Sequence, residues 1–258
     1  MHVFGLEFPP INEILRWQDI APSFNKVALI AVAAALIGII LFLLASRKDP
    51  SVAPTGSRNL AEIIIEFIEE SVVMQTLGKS GLKWTPFLLS LFIFIFLCNI
   101  PGVIPIIQMP ATARIAIPLS LALLVWVIYI GTGLKHQGIG YFGHLLWPPG
   151  VPVALKPLVG GIEFISTIIV TPFSLTVRLM ANMLAGHILL VTFALLTEAL
   201  LLAETSQIFL VPMSILPFGM LLFLTAFEIL VAFLQAYIFA ILAAVYINNS
   251  TMGHAEEH

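Results

Sequence analysis

Four ionisable side chains stand out in two long apolar stretches. Glu163, Arg178 and His187 fall within Pro157 to Leu202, and Glu228 falls within Gln207 to Asn248. An ionisable group in hydrocarbon is costly, so each is a candidate functional residue. Arg178 lies about 20 residues from either end of its stretch. That is too deep for its head to snorkel easily to water, and a guanidinium does not give up its proton. It is a permanent positive charge that requires an anionic partner or a wet cavity. A fixed internal ion pair with Glu163 or Glu228 would satisfy it as a structural element; a partner from outside the chain would make it functional.

The neighbours of Arg178 form a pattern. Glu163, Thr167, Thr171, Ser174, Arg178 and Asn182 follow at steps of 4, 4, 3, 4 and 4, which places them on one face of a helix. Such a stripe lines a water path, or its hydroxyls hydrogen-bond neighbouring helices. Thr167 and Thr171 suit the second role; Glu163, Ser174 and Asn182 suit the first. His187 is nine residues beyond Arg178 and half a turn out of phase, so it faces another neighbour. An imidazole titrates near neutral pH and passes protons, or it serves as an ordinary buried histidine bonded to a carbonyl. Glu228 and Gln235, seven residues apart, share a face. A membrane carboxylate reached by water takes up and releases protons; otherwise it balances Arg178.

The elements that position these residues are membrane helices. Of 258 residues, 60% are apolar and 10% charged, against about 25% charged in soluble domains. Too few charges remain to cover a water-facing surface, which also excludes a large soluble catalytic core. The net charge of −3 points to no nucleic acid or acidic ligand. The single cysteine, Cys98, can form no internal disulfide. Glu7, Glu13 and Asp19 stand where a cleaved signal would be basic, so the first apolar run is expected to remain as an anchor. No nucleotide-binding loop is present, and the residues call for no cofactor and no metal.

Hydropathy predicts spans over 27–46, 84–107 and 115–134, with Pro101 and Pro105 bending the end of the second. Residues 1–26 precede them and 249–258 form a tail. The stretches 157–202 and 207–248 would each be roughly 60 Å or longer as straight helices, twice the hydrocarbon thickness. Each is therefore two spans with a tight turn or one steeply tilted helix, and average tilts favour two spans. Between the first two spans, residues 59–77 set Glu62, Glu66, Glu69 and Glu70 among apolar residues at helical spacing, with Asn59 as N-cap. This amphipathic helix is acidic where a membrane-surface helix is usually basic, so it packs on a partner protein or on the bundle, or is simply a solvated helix. Arg47, Lys48, Arg58, Lys79, Lys83, Lys135 and Lys156 fall in loops on one side, and Arg16, Lys26 and Arg114 on the other. The excess places the N-terminus outside and the C-terminus in the cytoplasm.

The segment Ser174-Leu-Thr-Val-Arg178-Leu-Met-Ala-Asn182-Met-Leu-Ala-Gly186-His187 resembles a signature of the subunit a family of F-type ATP synthases. Phe227-Glu228-Ile-Leu-Val-Ala-Phe-Leu-Gln235-Ala-Tyr237-Ile-Phe239 is similar to its second signature. The resemblance covers nearly the whole chain and is strongest from about residue 160 onward. It implies an all-α membrane protein of five membrane-embedded helices plus one amphipathic helix, the last two forming a long tilted hairpin with no turn inside either stretch. It also implies roles: the essential arginine at Arg178, the amide of the same signature at Asn182, the Glu/His pair of the outer access channel at Glu228 and His187, and the polar partner on the last helix at Gln235. In some bacterial members the acid comes first and the histidine second; here they are reversed, so the order of proton transfer is open. Glu163 and Ser174 match no signature position and rest on the polar stripe alone, as a cytoplasmic half-channel.

The function implied is proton translocation through two offset half-channels to a rotating c-ring, coupled to ATP synthesis made elsewhere in the complex. The implied partners are c-ring subunits, peripheral-stalk b subunits and, indirectly, the catalytic head, in a bacterial plasma membrane. A self-contained secondary transporter would show paired inverted halves, which this sequence lacks. A membrane scaffold would have no need of Arg178, His187 and Glu228 inside hydrocarbon.

Overall fold

The computed structural model describes residues 2–3, 6–7, 19–21, 24–46, 56–104, 110–138, 140–147, 152, 155–201 and 211–251. Ahead of the first helix lie two small antiparallel ribbons that the sequence reading did not anticipate. In one, β1 (His2–Val3) pairs with β2 (Leu6–Glu7); in the other, β3 (Asp19–Ala21) pairs with β4 (Phe24–Asn25). Everything else with regular structure among the described residues is helical.

Five helical segments are long and apolar enough to cross a bilayer: Lys26–Leu44, Lys79–Gly102, Ala116–Gln137, Lys156–Leu201 and Val211–Thr251. They contain α1 (Lys26–Ser46), α3 (Thr85–Asn99), α4 (Ala116–Gln137), α6 (Lys156–Ile165) running into α7 (Thr171–Leu201), and α8 (Ile215–Thr251). Helix α3 passes into a single 3₁₀ turn, Ile100–Gly102, where Pro101 supplies no N–H to continue the ladder.

Each long apolar stretch is one continuous helical rod. The two-span reading that hydropathy favoured is therefore corrected, and the five-helix arrangement implied by the family resemblance holds. The α6–α7 rod absorbs a defect without breaking. Pro172 has no N–H for the turn before it, and its ring crowds that turn; the rod widens into a π turn over Ser166–Val170. The Tyr129 hydroxyl of α4 donates to the Thr167 carbonyl inside this turn at 2.6 Å. The π turn rotates Glu163 relative to Arg178 by about a quarter turn from the ideal-helix phase.

The acidic segment forms α2 (Ser57–Ile68), a second π turn (Glu69–Val73) and a last turn Met74–Thr76. It begins two residues before Asn59, after Gly56 at φ 61°, so Asn59 is inside the helix rather than its cap. Its apolar side is buried: Ala61, Ile68, Val72 and Val73 lose nearly all exposure against α1, α3 and α8. Of the three roles open to it, packing on the bundle is the one observed. Here too a tyrosine serves the π turn, the Tyr237 hydroxyl donating to the Ser71 carbonyl at 3.4 Å.

Helix α8 is the centre of the bundle, packed on α3, α4 and α7. Ala232, Ala236, Ala240 and Ala244 recur every four residues and are fully buried. Lipid is as apolar as leucine, so helices associate in it through close packing, and small side chains let backbones approach. Phe239 and Ile247 fill the spaces between, against Leu88, Ile95, Val125 and Leu179.

Candidate functional site

The site lies along the seam between α7 and α8. On α7, Leu175, Leu179, Met183 and Gly186 are buried, a 4-4-3 spacing that forms one helix face. They pack on Ala232, Ala236 and Ala240 of α8. The helices run antiparallel, because higher residues of α7 meet lower residues of α8. Arg178 and Asn182 each sit one residue before a member of the buried face, so they occupy its flank; Arg178 is half-buried and Asn182 exposed.

Two contacts across the seam join residues selected from the sequence. Asn182 Nδ2 donates to Gln235 Oε1 at 2.7 Å. Gln235 is 2% exposed, and its Nε2 has no hydrogen-bond partner among the described residues. One turn toward the hairpin end, the Glu228 carboxylate lies directly on Gly186, where any Cβ would collide with its oxygens. Gly186 precedes His187, and both His187 and Glu228 are buried. The acid and the imidazole of the two signatures are thus brought to one level of the bundle from opposite helices. A side chain at position 186 would have to displace the Glu228 carboxylate, so the glycine sets where that acid rests.

Arg178 forms no ion pair with Glu163 or Glu228. The ion pair seen among the described residues is Arg58 Nε to Glu62 Oε1 at 2.7 Å, on α2. Arg178 makes no hydrogen bond among the described residues either. The internal pair that would have made it purely structural is absent. Its charge is left at the edge of the seam.

The other end of the stripe is more open. Ser174 is half-buried and Glu163 exposed. Glu163 borders α5 (Gly140–Leu146), where burial, and secondarily the Glu163 carboxylate, push the Tyr141 phenol above its ordinary pKa. Tyr141 itself covers Gly133 of α4. Thr167 and Thr171 line the α4 side, next to Tyr129, as helix-packing residues would.

Three polar residues escaped the sequence reading. Asn99 and Thr112 are fully buried and hydrogen-bonded, Thr112 Oγ1 donating to Asn99 Oδ1. The 3₁₀ turn carrying Thr112, Ala111–Ala113, packs on α7, and Ala113 shares a cluster with Met183 and Ala232. An asparagine at the end of an apolar run was the available signal. The third, Glu198, is an exposed acid of α7, eleven residues beyond His187 and on the same side of the helix. Its place within the apolar stretch should have marked it.

Comparison with known proteins identifies relatives of the whole chain. The family model described as ATP synthase A chain matches residues 27–248. ATP synthase subunit a of Frankia alni is 39% identical over 262 residues, covering 96% of this chain and 86% of the relative. That of Rhodopseudomonas palustris is also 39% identical, covering 97% and 96%. That of Streptomyces lividans is 36% identical, covering 98% and 92%. With a seam that pairs Asn182 with Gln235, seats Glu228 on the glycine before His187 and leaves Arg178 without an ion pair among the described residues, the chain belongs to the ATP synthase A chain family.

Proposed function

We propose that Arg178 separates two offset half-channels in this chain, and that a carboxylate carried past it by a neighbouring rotor subunit is its partner. Family membership makes the chain the non-catalytic proton-channel subunit of the membrane sector, alongside c and b subunits, coupling proton-motive force to ATP synthesis. It is an integral membrane protein with five candidate spans, and its bacterial relatives imply a plasma membrane. The finer reading concerns which residues move the proton.

In that reading a proton enters from outside past Glu228 and His187 and neutralises a carboxylate on a c subunit. The neutral subunit crosses the lipid without the cost of an ionised group. After most of a rotation it meets the inner half-channel, lined by Ser174 and Glu163, and releases its proton to the cytoplasm. The bare carboxylate is then drawn to Arg178, whose fixed charge also repels protons that would cross directly. Asn182 and Gln235 hold the two helices at the level between the half-channels. The unmet Gln235 Nε2 supports water or a passing acceptor at that level, since buried donors rarely stay unpaired. The driving force is about 2.3 kcal/mol per charge per 100 mV, so several protons serve each ATP. The topology has the N-terminus outside and the C-terminus inside, the last two helices lie tilted along the c-ring, and the catalytic head and b stalk connect to the chain from the cytoplasmic side. No nucleic acid takes part.

The observation that carries this is that Arg178 has no counter-ion among the described residues, Glu163 and Glu228 included. In an Arg178→Ala complex that still copurifies with its c and b subunits, proton-driven ATP synthesis should be abolished. Normal coupling in that complex would refute the role.

A further inference from the structure

Two cavities away from the hairpin share the same helices. The first, about 490 Å³, opens between the start of the second span and the end of α4; Lys83, Trp84, Thr132, Lys135 and His136 line it. Lysines thus converge from two separate elements, and no carboxylate lines the cavity. Lys135 and His136 also complement the C-terminal end of their own helix, but Lys83 comes from another element and has no such role. The second, about 830 Å³, lies among α1, α3 and α4 and is almost wholly apolar. Its one hydroxyl, Ser90, is already committed to the Pro86 carbonyl at 2.6 Å, so nothing in it holds water. Small residues of α1 open it: Ala34, Ala35 and Gly38 line the groove, and a Cβ on Gly38 would lie 3.4 Å from Ile93.

No residue lines both cavities, but the two stand in line along the same elements. On α4, Leu121 and Leu124 line the apolar groove while Val127, Gly131 and Lys135 line the cationic mouth. At 3- and 4-residue steps these make one helix face. On the second span, Lys83 and Trp84 at the mouth lie one turn from Pro86 and Phe87 in the groove. Trp84 meets Phe87 edge-on at 6.2 Å, the place of an aromatic ring at a membrane interface.

From this alignment we infer that the slot between α3 and α4 holds one anionic phospholipid, its phosphodiester at Lys83 and Lys135 and one acyl chain along the groove beneath. A cationic mouth on top of a dry apolar trough matches the two halves of such a molecule, and basic pockets between spans on the cytoplasmic side suit anionic headgroups. The assignment to the cytoplasmic leaflet rests on the loop-charge orientation; the slot itself does not. A transmembrane helix of another subunit would fill the trough but leave both lysines unmatched, and free phosphate would use the mouth but not the trough.

The test uses the intact ATP synthase in detergent, irradiated with phosphatidylglycerol bearing a diazirine on one acyl chain, and peptide mass spectrometry. Labelling should concentrate on α1, α3 and α4 around the groove and exceed that from matched phosphatidylcholine. It should be unaffected by millimolar inorganic phosphate. Replacing Lys83 or Lys135 by Gln should lower it about fivefold for each, whereas Lys→Arg at both should retain it. Equal labelling by the two lipids overturns the proposal, as does displacement by phosphate, which would mark a free-anion site. So does an unlabelled groove cross-linked instead to another subunit. If the Gln variants fail to assemble, the headgroup comparison and phosphate competition on the unaltered complex still decide it.

Discussion

From Arg178 toward the hairpin end, the imidazole and the acid of the seam are enclosed, while Asn182 and Glu198 stay exposed. His187 is 5% exposed and Glu228 8%, and the carboxylate rests against the backbone of Gly186. From Arg178 in the other direction, Ser174 is half-buried and Glu163 exposed, with the π turn between Glu163 and Arg178. The same helix therefore carries a closed polar site on one side of its fixed charge and an open one on the other. The closed site is built wholly from this chain, so its geometry can be broken by a single substitution within it. Substitutions on the open side should be milder, because solvent can replace what is removed.

This contrast can be broken at the closed site first. Glu228→Gln keeps the shape and removes the ionisation, so proton uptake from outside should fall about a hundredfold, as when a proton-transfer group is lost. Dye quenching in vesicles pumping in either direction would measure it, and an unchanged rate would remove Glu228 from the path. Gly186→Ala should cost about tenfold by driving a methyl into the carboxylate, a steric displacement rather than a lost group. Shortening the acid with Glu228→Asp in the same chain should recover part of that loss. A double variant no better than Gly186→Ala alone would mean that the contact does not set the carboxylate position.

Smaller effects sharpen the comparison. Gln235→Leu leaves the exposed Asn182 amide without its partner, at about 0.5–1.5 kcal/mol, the net value of one hydrogen bond. The complex should dissociate at lower temperature in detergent, and adding Asn182→Leu should cost less than a second full penalty. Additive losses would show that the 2.7 Å bond contributes little. At the open end, Ser174→Ala should change proton release by no more than about twofold, as substitutions at accessible positions usually do. A loss comparable to that of Glu228→Gln would erase the distinction between the two sides.

The candidate site was legible where chemistry depends on residue type and local spacing. Arg178 stood out because a guanidinium in an apolar run has few innocent explanations, and Asn182 and Gln235 followed from their signatures. Asn99 and Thr112 were not legible: a single amide or hydroxyl at the end of an apolar run reads as an interfacial residue until the fold places the two together. Glu198 was available to the same reasoning as Glu163 and was missed. The long stretches were ambiguous for a different reason. Hydropathy records how much apolar chain there is, and a turn inside hydrocarbon differs from a continuous rod only in how its backbone groups are satisfied. Tyr129 reaching the Thr167 carbonyl is part of that answer and lies 38 residues away in sequence.

Composition by itself determined that this chain belongs in a bilayer and that its spans are helical, because lipid accepts neither unsolvated charge nor unpaired backbone. The order of residues also located the one guanidinium within the two long apolar stretches. Only the tertiary structure decided that each long stretch is helical throughout its described residues, that Glu228 comes to rest on Gly186, the residue before His187, and that Arg178 pairs with neither Glu163 nor Glu228. Those outcomes depend on which faces of α7 and α8 meet. In a membrane that is decided by side-chain fit between distant segments, here an alanine every four residues on α8, rather than by the apolarity that all the helices share.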